Sequence, residues 1–172
     1  MPEPTRRIRI LLTLFIVGLV VSGVTAFPLE TELRVLATLF PSTDQSSVAA
    51  WIHRVRDGLV ETNAKHPFLA YGTDWLAFAH LVIAVVFIGP LRDPVRNVWV
   101  IQFGLVACGA VIPFALIAGP VRGIPPGWSL IDCSFGVIGF ILLWFAYRST
   151  RRLEGSVSGC LENTTDLAAK AP

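Results

Sequence analysis

The sequence predicts an all-α membrane protein, with four transmembrane helices and two amphipathic helices in the first extracytoplasmic loop. Three observations predict it. Of 172 residues, 53% are hydrophobic and 15% charged, against about 25% charge in a soluble domain, and the mean hydropathy is +0.65. The apolar residues gather into four blocks that are free or nearly free of charge. None of the blocks alternates with the period of a barrel strand. Lipid offers no partner to open backbone groups, so such blocks cross as helices.

Residues 1–9 are read as a cytoplasmic N-terminus carrying Arg6, Arg7 and Arg9. Span 1, residues 10–27, contains no charge. Its basic start, apolar run and Val24-Thr25-Ala26 triplet also fit a cleavable signal peptide, with a faint twin-arginine flavour at Thr5-Arg6-Arg7. The uncharged run is long for a signal core, so the segment is read as retained. Cleavage would leave three spans running in the same directions.

The first outer loop, residues 28–74, is far longer than a turn. Leu29, Leu33, Leu36 and Phe40 share one helical face before Pro41-Ser42. Val48, Trp51, Ile52, Val55 and Leu59 follow i, i+3, i+4, i+7, i+11. His53, Arg54, Arg56 and Asp57 lie elsewhere around that second helix. Two amphipathic helices are expected, lying on the membrane or capping the bundle from outside.

Span 2 covers residues 75–91, a cytoplasmic hairpin 92–97, and span 3 residues 98–118, with Gln102 its strongly polar member. An outer turn, 119–129, leads to span 4, residues 130–147, where Asp132 is the charge. The tail, 148–172, is small and polar from Gly155 onward and is expected to be cytoplasmic and disordered. Asp93-Pro94 reads as an N-cap and first helical residue for span 3, and Gly89-Pro90 as the end of span 2. Gly119-Pro120 reads as the end of span 3, and Ser129-Leu130-Ile131-Asp132 as a capping box for span 4. Pro113 lacks an amide donor and should free the Gly109 carbonyl and kink span 3. Gly18 and Ser22, Gly104 and Cys108, and Gly136 and Gly139 mark expected close helix contacts.

Orientation follows from the arginines. Those before span 1, Arg92 and Arg96 between spans 2 and 3, and Arg148, Arg151 and Arg152 after span 4 all fall on one side. That side is assigned to the cytoplasm of a bacterial inner membrane, with both termini there. Trp75 and Trp128 then sit at the outer interface, and Trp99, Trp144 and Tyr147 at the inner one.

Polar residues inside spans are costly unless partnered, which makes them the first candidates for function. His80 lies about 8 Å below the outer end of span 2 at 1.5 Å per residue. Ala77 and Ala84 share its face. Asp132 enters span 4 from the same side. An outward-facing polar pocket is expected around His80 and Asp132, with Asp74 at its rim; the plainer reading is helix registry and capping. Arg92, Asp93 and Arg96 form a second polar concentration, suited to topology or to contact with lipid head groups or a partner, and Gln102 lies within a turn of it.

Several classes are set aside. A net charge of +2 is too small for a nucleic-acid binder. Three cysteines do not make a disulfide scaffold, and Cys108, Cys133 and Cys160 differ too much in depth to pair. His53, His66 and His80 lack metal-ligand spacing, so no metal and no bound cofactor are expected. No nucleophile elbow, phosphate loop or zinc-protease motif is present, so no catalytic residue is assigned.

The stretches Tyr71–His80, Ile88–Asn97 and Ile117–Pro125 resemble multi-span bacterial membrane proteins of no established activity. The resemblance covers residues 71–148, under half the chain. It implies an integral membrane protein and carries over no site residue. The function expected is therefore a structural or accessory subunit of a membrane complex, held in the lipid bilayer with a membrane-protein partner or as a homo-oligomer. A small oligomeric transporter or ion-handling protein using His80 and Asp132 is the first alternative. A quinone- or haem-linked redox protein is the second.

Overall fold

The computed structural model describes residues 3–41 and 46–169, with side chains described from Thr5 to Pro41 and from Ser46 to Ser156. The described residues are helical almost throughout. They form α1 (Glu3–Ala26), α2 (Leu29–Leu39), α3 (Ser47–Lys65), a 3₁₀ turn (Pro67–Leu69), α4 (Ala70–Val86), α5 (Ile88–Arg92), α6 (Val98–Val121) and α7 (Pro126–Ala169). Among the described residues, four stretches are long and apolar enough to cross a membrane: Thr5–Ala26, Pro67–Arg92, Val98–Val121 and Pro126–Ser156. The chain divides into two compact units, residues 17–84 and the remainder, with the boundaries inside α1 and near the end of α4.

The larger unit is built on a seam between α6 and α7. Small residues line it. A methyl group at Gly136 would come 2.8 Å from the Cys108 carbonyl oxygen, and one at Gly139 would come 2.8 Å from Cys108 Sγ. At Gly104 the obstacles are Leu143 and Phe87, each at 2.6 Å, and at Gly119 it is Ser129 Oγ at 2.5 Å. On α7 the buried positions include Cys133, Gly136, Gly139, Leu143, Ala146 and Thr150, a three-and-four spacing that keeps one stripe facing its partner. Leu143, Val100 and Ile101 are buried as well, but many large apolar side chains point the other way: Val106 is 72% exposed, Phe114 71% and Phe135 66%. The first half of α1 joins this unit through Ile8 and Leu12, both fully buried, and through Phe15, whose ring lies 4.7 Å from that of Phe87. Arg7 sits over the Phe145 ring at 5.7 Å. Thr150 and Ser149 donate their hydroxyl protons to carbonyls four residues back, Ala146 and Phe145, so neither hydroxyl needs an outside partner.

The smaller unit holds the α2–α3 pair and the adjoining parts of α1 and α4. Glu30 and Glu32 fall in the first turn of α2 and Lys65 in the last turn of α3, matching the sign of each helix end. Ser46 caps α3 by accepting from the Ala49 amide at 3.1 Å. Leu33 and Ala37 of α2, and Ala49 and Ile52 of α3, are buried. Val35 and Leu39 are exposed, and so is Val48, which the periodicity assigned to the apolar face of α3. His53 Nε2 lies 2.7 Å from the Phe40 carbonyl oxygen and pins the end of α2 to α3. A methyl at Gly23 of α1 would come 2.9 Å from the Ala77 carbonyl oxygen of α4. Gly23, rather than Gly18, is therefore the contact glycine of α1; Gly18 and Ser22 face outward.

Several helix ends differ from the sequence reading. Asp93 does not cap span 3: its carboxylate accepts from the Arg96 amide in a turn, and α6 starts at Val98 after Asn97. Gly89-Pro90 does not end a helix but sits within α5. The stop of α6 is set by Gly123, at φ +68°. Its amide donates to Pro120 at 3.1 Å, and the Ile124 amide donates to Gly119 at 2.9 Å, the paired closure that a left-handed residue allows. α7 opens at Pro126, so Ser129 lies inside the helix and is buried against Gly119 instead of capping. Proline at the first helical position lacks only an amide that would be unpaired there anyway. The α7 backbone continues to Ala169, whereas the tail was expected to have no regular structure. From Gly127 to Lys170 no proline interrupts it, so backbone geometry never forbids the next turn.

Candidate functional site

His80 belongs to the smaller unit and Asp132 to the larger. Each is accordingly described in its own surroundings. His80 is half-buried on α4, with Nδ1 2.8 Å from the Leu76 carbonyl oxygen. A carbonyl only accepts, so Nδ1 carries the proton in that bond and Nε2 is the open nitrogen. Its neighbours at i−3 and i+4, Ala77 and Ala84, are buried. Asp132 is half-buried on α7, and its carboxylate has no hydrogen bond or ion pair among the described residues.

Asp74 was expected at the rim of that pocket. Within the smaller unit it lines a cleft of about 240 Å³ between the end of α1, the start of α2, α3 and the start of α4. Phe27, Leu29 and Leu59 form the apolar side. Glu30, Asn63, Thr73 and Asp74 form the polar side. Asn63 Nδ2 donates to Glu30 Oε2 at 2.8 Å, bridging α3 and α2. Arg34 donates to the other oxygen of Glu30 at 2.6 Å. These two bonds, that from Asn63 first, hold the Glu30 carboxyl below the usual carboxylate range. Asn63 Oδ1 is buried and has no hydrogen-bond partner among the described residues. The Thr73 hydroxyl donates to the Ala70 carbonyl at 2.6 Å. Sequence reading missed Glu30 and Asn63 as a pair because 33 residues separate them; only the Glu30–Arg34 spacing of four was visible.

The hairpin residues Arg92, Asp93 and Arg96 are exposed. Asp93 is engaged locally, as described, and the two guanidinium groups have no ion pair among the described residues. The organiser of this turn is Asn97, which donates to the carbonyls of Asp93 at 2.9 Å and Gly89 at 3.2 Å. Gln102 faces away from the cluster: its Nε2 lies 3.5 Å from Tyr147 Oη on α7, the outer limit of a hydrogen bond. Cys108 and Cys133 are free thiols. Among the described residues, no group of three or more His, Cys, Asp or Glu side chains could hold a metal ion. Compared with known proteins, the chain matches no family model, no curated protein and no solved structure.

Proposed function

We propose that the chain is an integral protein of a bacterial inner membrane and serves as a structural or accessory subunit of a membrane complex. The observation that supports it most is the inverted packing of α6 and α7. Gly104, Gly119, Gly136, Gly139 and Cys133 face inward beside Val100, Ile101 and Leu143, while many large side chains, among them Val106, Phe114, Ile117, Phe135 and Ile138, face outward. A water-soluble helix pair gains by burying its large apolar side chains. A pair in lipid has no such gain and associates through close backbone approach instead. In this reading all four apolar helices cross the bilayer, both termini are cytoplasmic, and α2 and α3 lie at the outer surface. Trp75, with Tyr71 and Phe78 in edge contacts at 5.9 Å, sits at the outer interface. The stacked Phe140 and Trp144 run toward the inner one.

Membrane fractionation after alkaline wash, followed by cysteine-accessibility labelling at Arg92 and at Ser156, tests the first half. Retention in the pellet and labelling of both positions from the same side are expected. A soluble, dispersed chain, or opposite sidedness, overturns it. Purification in mild detergent with mass spectrometry of co-purifying proteins tests the second half. A reproducible membrane-protein partner is expected, and a clean chain with nothing bound counts against the subunit role.

A further inference from the structure

In the larger unit α1, α6 and α7 meet the start of α5 in one layer. The Phe15 ring lies 4.7 Å from that of Phe87, and a methyl at Gly104 would strike both Phe87 and Leu143. Beyond that layer, on the side where Arg7 sits over Phe145, lie the first residues of α1, the α5–α6 turn and the part of α7 after Tyr147. The arginines of these three segments therefore share one end of the unit. Among residues with described side chains, the acids at this end are Asp93 and Glu154. Asp93 accepts from the Arg96 amide, and Glu154 is paired with Arg151. The end is strongly cationic, and packing within the unit uses little of that charge.

One part of it has shape as well as charge. Arg6, Arg9, Ile10, Thr13 and Leu14 line an open groove of about 270 Å³ along α1. Their three-and-four spacing puts them on one helix face, away from the buried Ile8 and Leu12. Arg6 has no hydrogen bond or ion pair among the described residues, whereas Arg9 is also engaged within the protein. Ile10 and Leu14 are 51% and 54% exposed. A cationic rim set over exposed apolar surface suits an amphiphile with an anionic head.

We propose that this groove seats an anionic phospholipid, with its phosphate against Arg6 and Arg9 and the upper part of an acyl chain along Ile10 and Leu14. The inference rests on the membrane reading above. A planar guanidinium presents donors that match phosphate oxygens, and the Thr13 hydroxyl is a further donor. The volume is room for roughly nine waters at about 30 Å³ each, enough for a phosphoglycerol head. The surrounding arginines repel an ammonium group, so a glycerol head with net negative charge is favoured over choline. Free phosphate would leave Ile10 and Leu14 uncovered, and the lipid is therefore the occupant that the groove fits.

The test uses the full chain in a maltoside detergent, mixed with equal amounts of phosphatidylglycerol and phosphatidylcholine of matched acyl chains. Native mass spectrometry reads the lipid retained. Phosphatidylglycerol should be retained about fivefold or more over phosphatidylcholine, and millimolar inorganic phosphate should not displace it. Arg6→Gln should lower its retention by about fivefold, the loss expected for one basic side chain at an anionic head. Arg96→Gln removes the same charge from the same end but lies outside the groove, and should lower retention by less than about twofold. Equal retention of the two lipids, equal losses in the two variants, or displacement by inorganic phosphate overturns the proposal. The comparison of two lipids on the parent protein stands even if Arg6→Gln fails to fold. A chain that stays in the alkaline-washed pellet yet shows no lipid preference loses this proposal alone. A chain that stays dispersed without detergent loses the membrane reading with it.

Discussion

The α6–α7 pair and the α2–α3 pair are both consecutive helices joined by a short connection, yet they are held by opposite chemistry. At the α6–α7 seam the closest contacts are glycines at which an added methyl would come within 2.5–2.8 Å of a neighbouring atom, while many bulky side chains, such as Val106, Phe114 and Phe135, face outward. In α2–α3 a leucine and an isoleucine are buried, charged side chains face outward, and polar bonds cross between the helices at Glu30–Asn63 and Phe40–His53. The first arrangement depends on glycines that leave room for close approach, and the second on buried side chains and polar bridges. On the proposed membrane reading, the difference teaches that the two pairs answer to different solvents: α2–α3 is held mainly by saving apolar area from water, and α6–α7 mainly by close backbone approach.

Substitution should therefore act in opposite directions in the two pairs. Ile52 is 1% exposed, and Ile52→Ala removes buried volume, which costs about 2–5 kcal/mol in a packed core. Loss of hydrogen-exchange protection across α2 and α3, with α6 and α7 unaffected, is the expected result. At the seam the damaging change is an addition. Gly136→Ala pushes a methyl against the Cys108 backbone, which cannot swing aside, and should cost about 1–3 kcal/mol in detergent-unfolding midpoints. Gly109→Ala, the residue next to Cys108 but with open space around it, should change stability by no more than about 0.5 kcal/mol. Equal effects of the two glycine substitutions would erase the contrast between the pairs.

The four apolar helices were legible because each is a long stretch with hardly a charge, a signal that survives any detail of packing. The ends were not. Asp93-Pro94 and Ser129–Asp132 both have the composition of a helix start, but an aspartate that accepts from an amide three residues on serves a turn equally well. Pro126, three residues before Ser129, had already opened α7. Gly123 was passed over in favour of Gly119 because both precede or adjoin polar turn residues, and only backbone geometry tells which glycine is left-handed. The Gly104–Cys108 and Gly136–Gly139 spacings did mark the seam, since small residues a turn apart have few other uses in an apolar helix. The cleft was hidden for a different reason. Its polar groups come from residues 30, 63 and 74, which no helical period connects and which only the folding back of α3 brings beside α2.

Smaller effects sharpen the reading of α2–α3. Ser46→Ala deletes the cap on the Ala49 amide and should cost about 1 kcal/mol, seen as faster exchange in the first turn of α3 alone. The least effect in size is expected from Glu30, yet its sign is fixed. Its carboxyl is held below the usual range by bonds from Asn63 and Arg34, so folding favours the ionised form. The stabilisation is then fully present at neutral pH, above the ordinary carboxylate value, and is lost as the pH falls through the depressed one. Partial exposure lets water screen the contact, so the global unfolding midpoint should hardly move. The change should appear instead as acid-dependent loosening of the α2–α3 contact, read by exchange at the Asn63 side-chain amide. Glu30→Gln should flatten that acid dependence while leaving the α6–α7 seam as it was. An acid response that persists in Glu30→Gln would assign it to another carboxylate, and the polar bridge would then lose its part in distinguishing the two helix pairs.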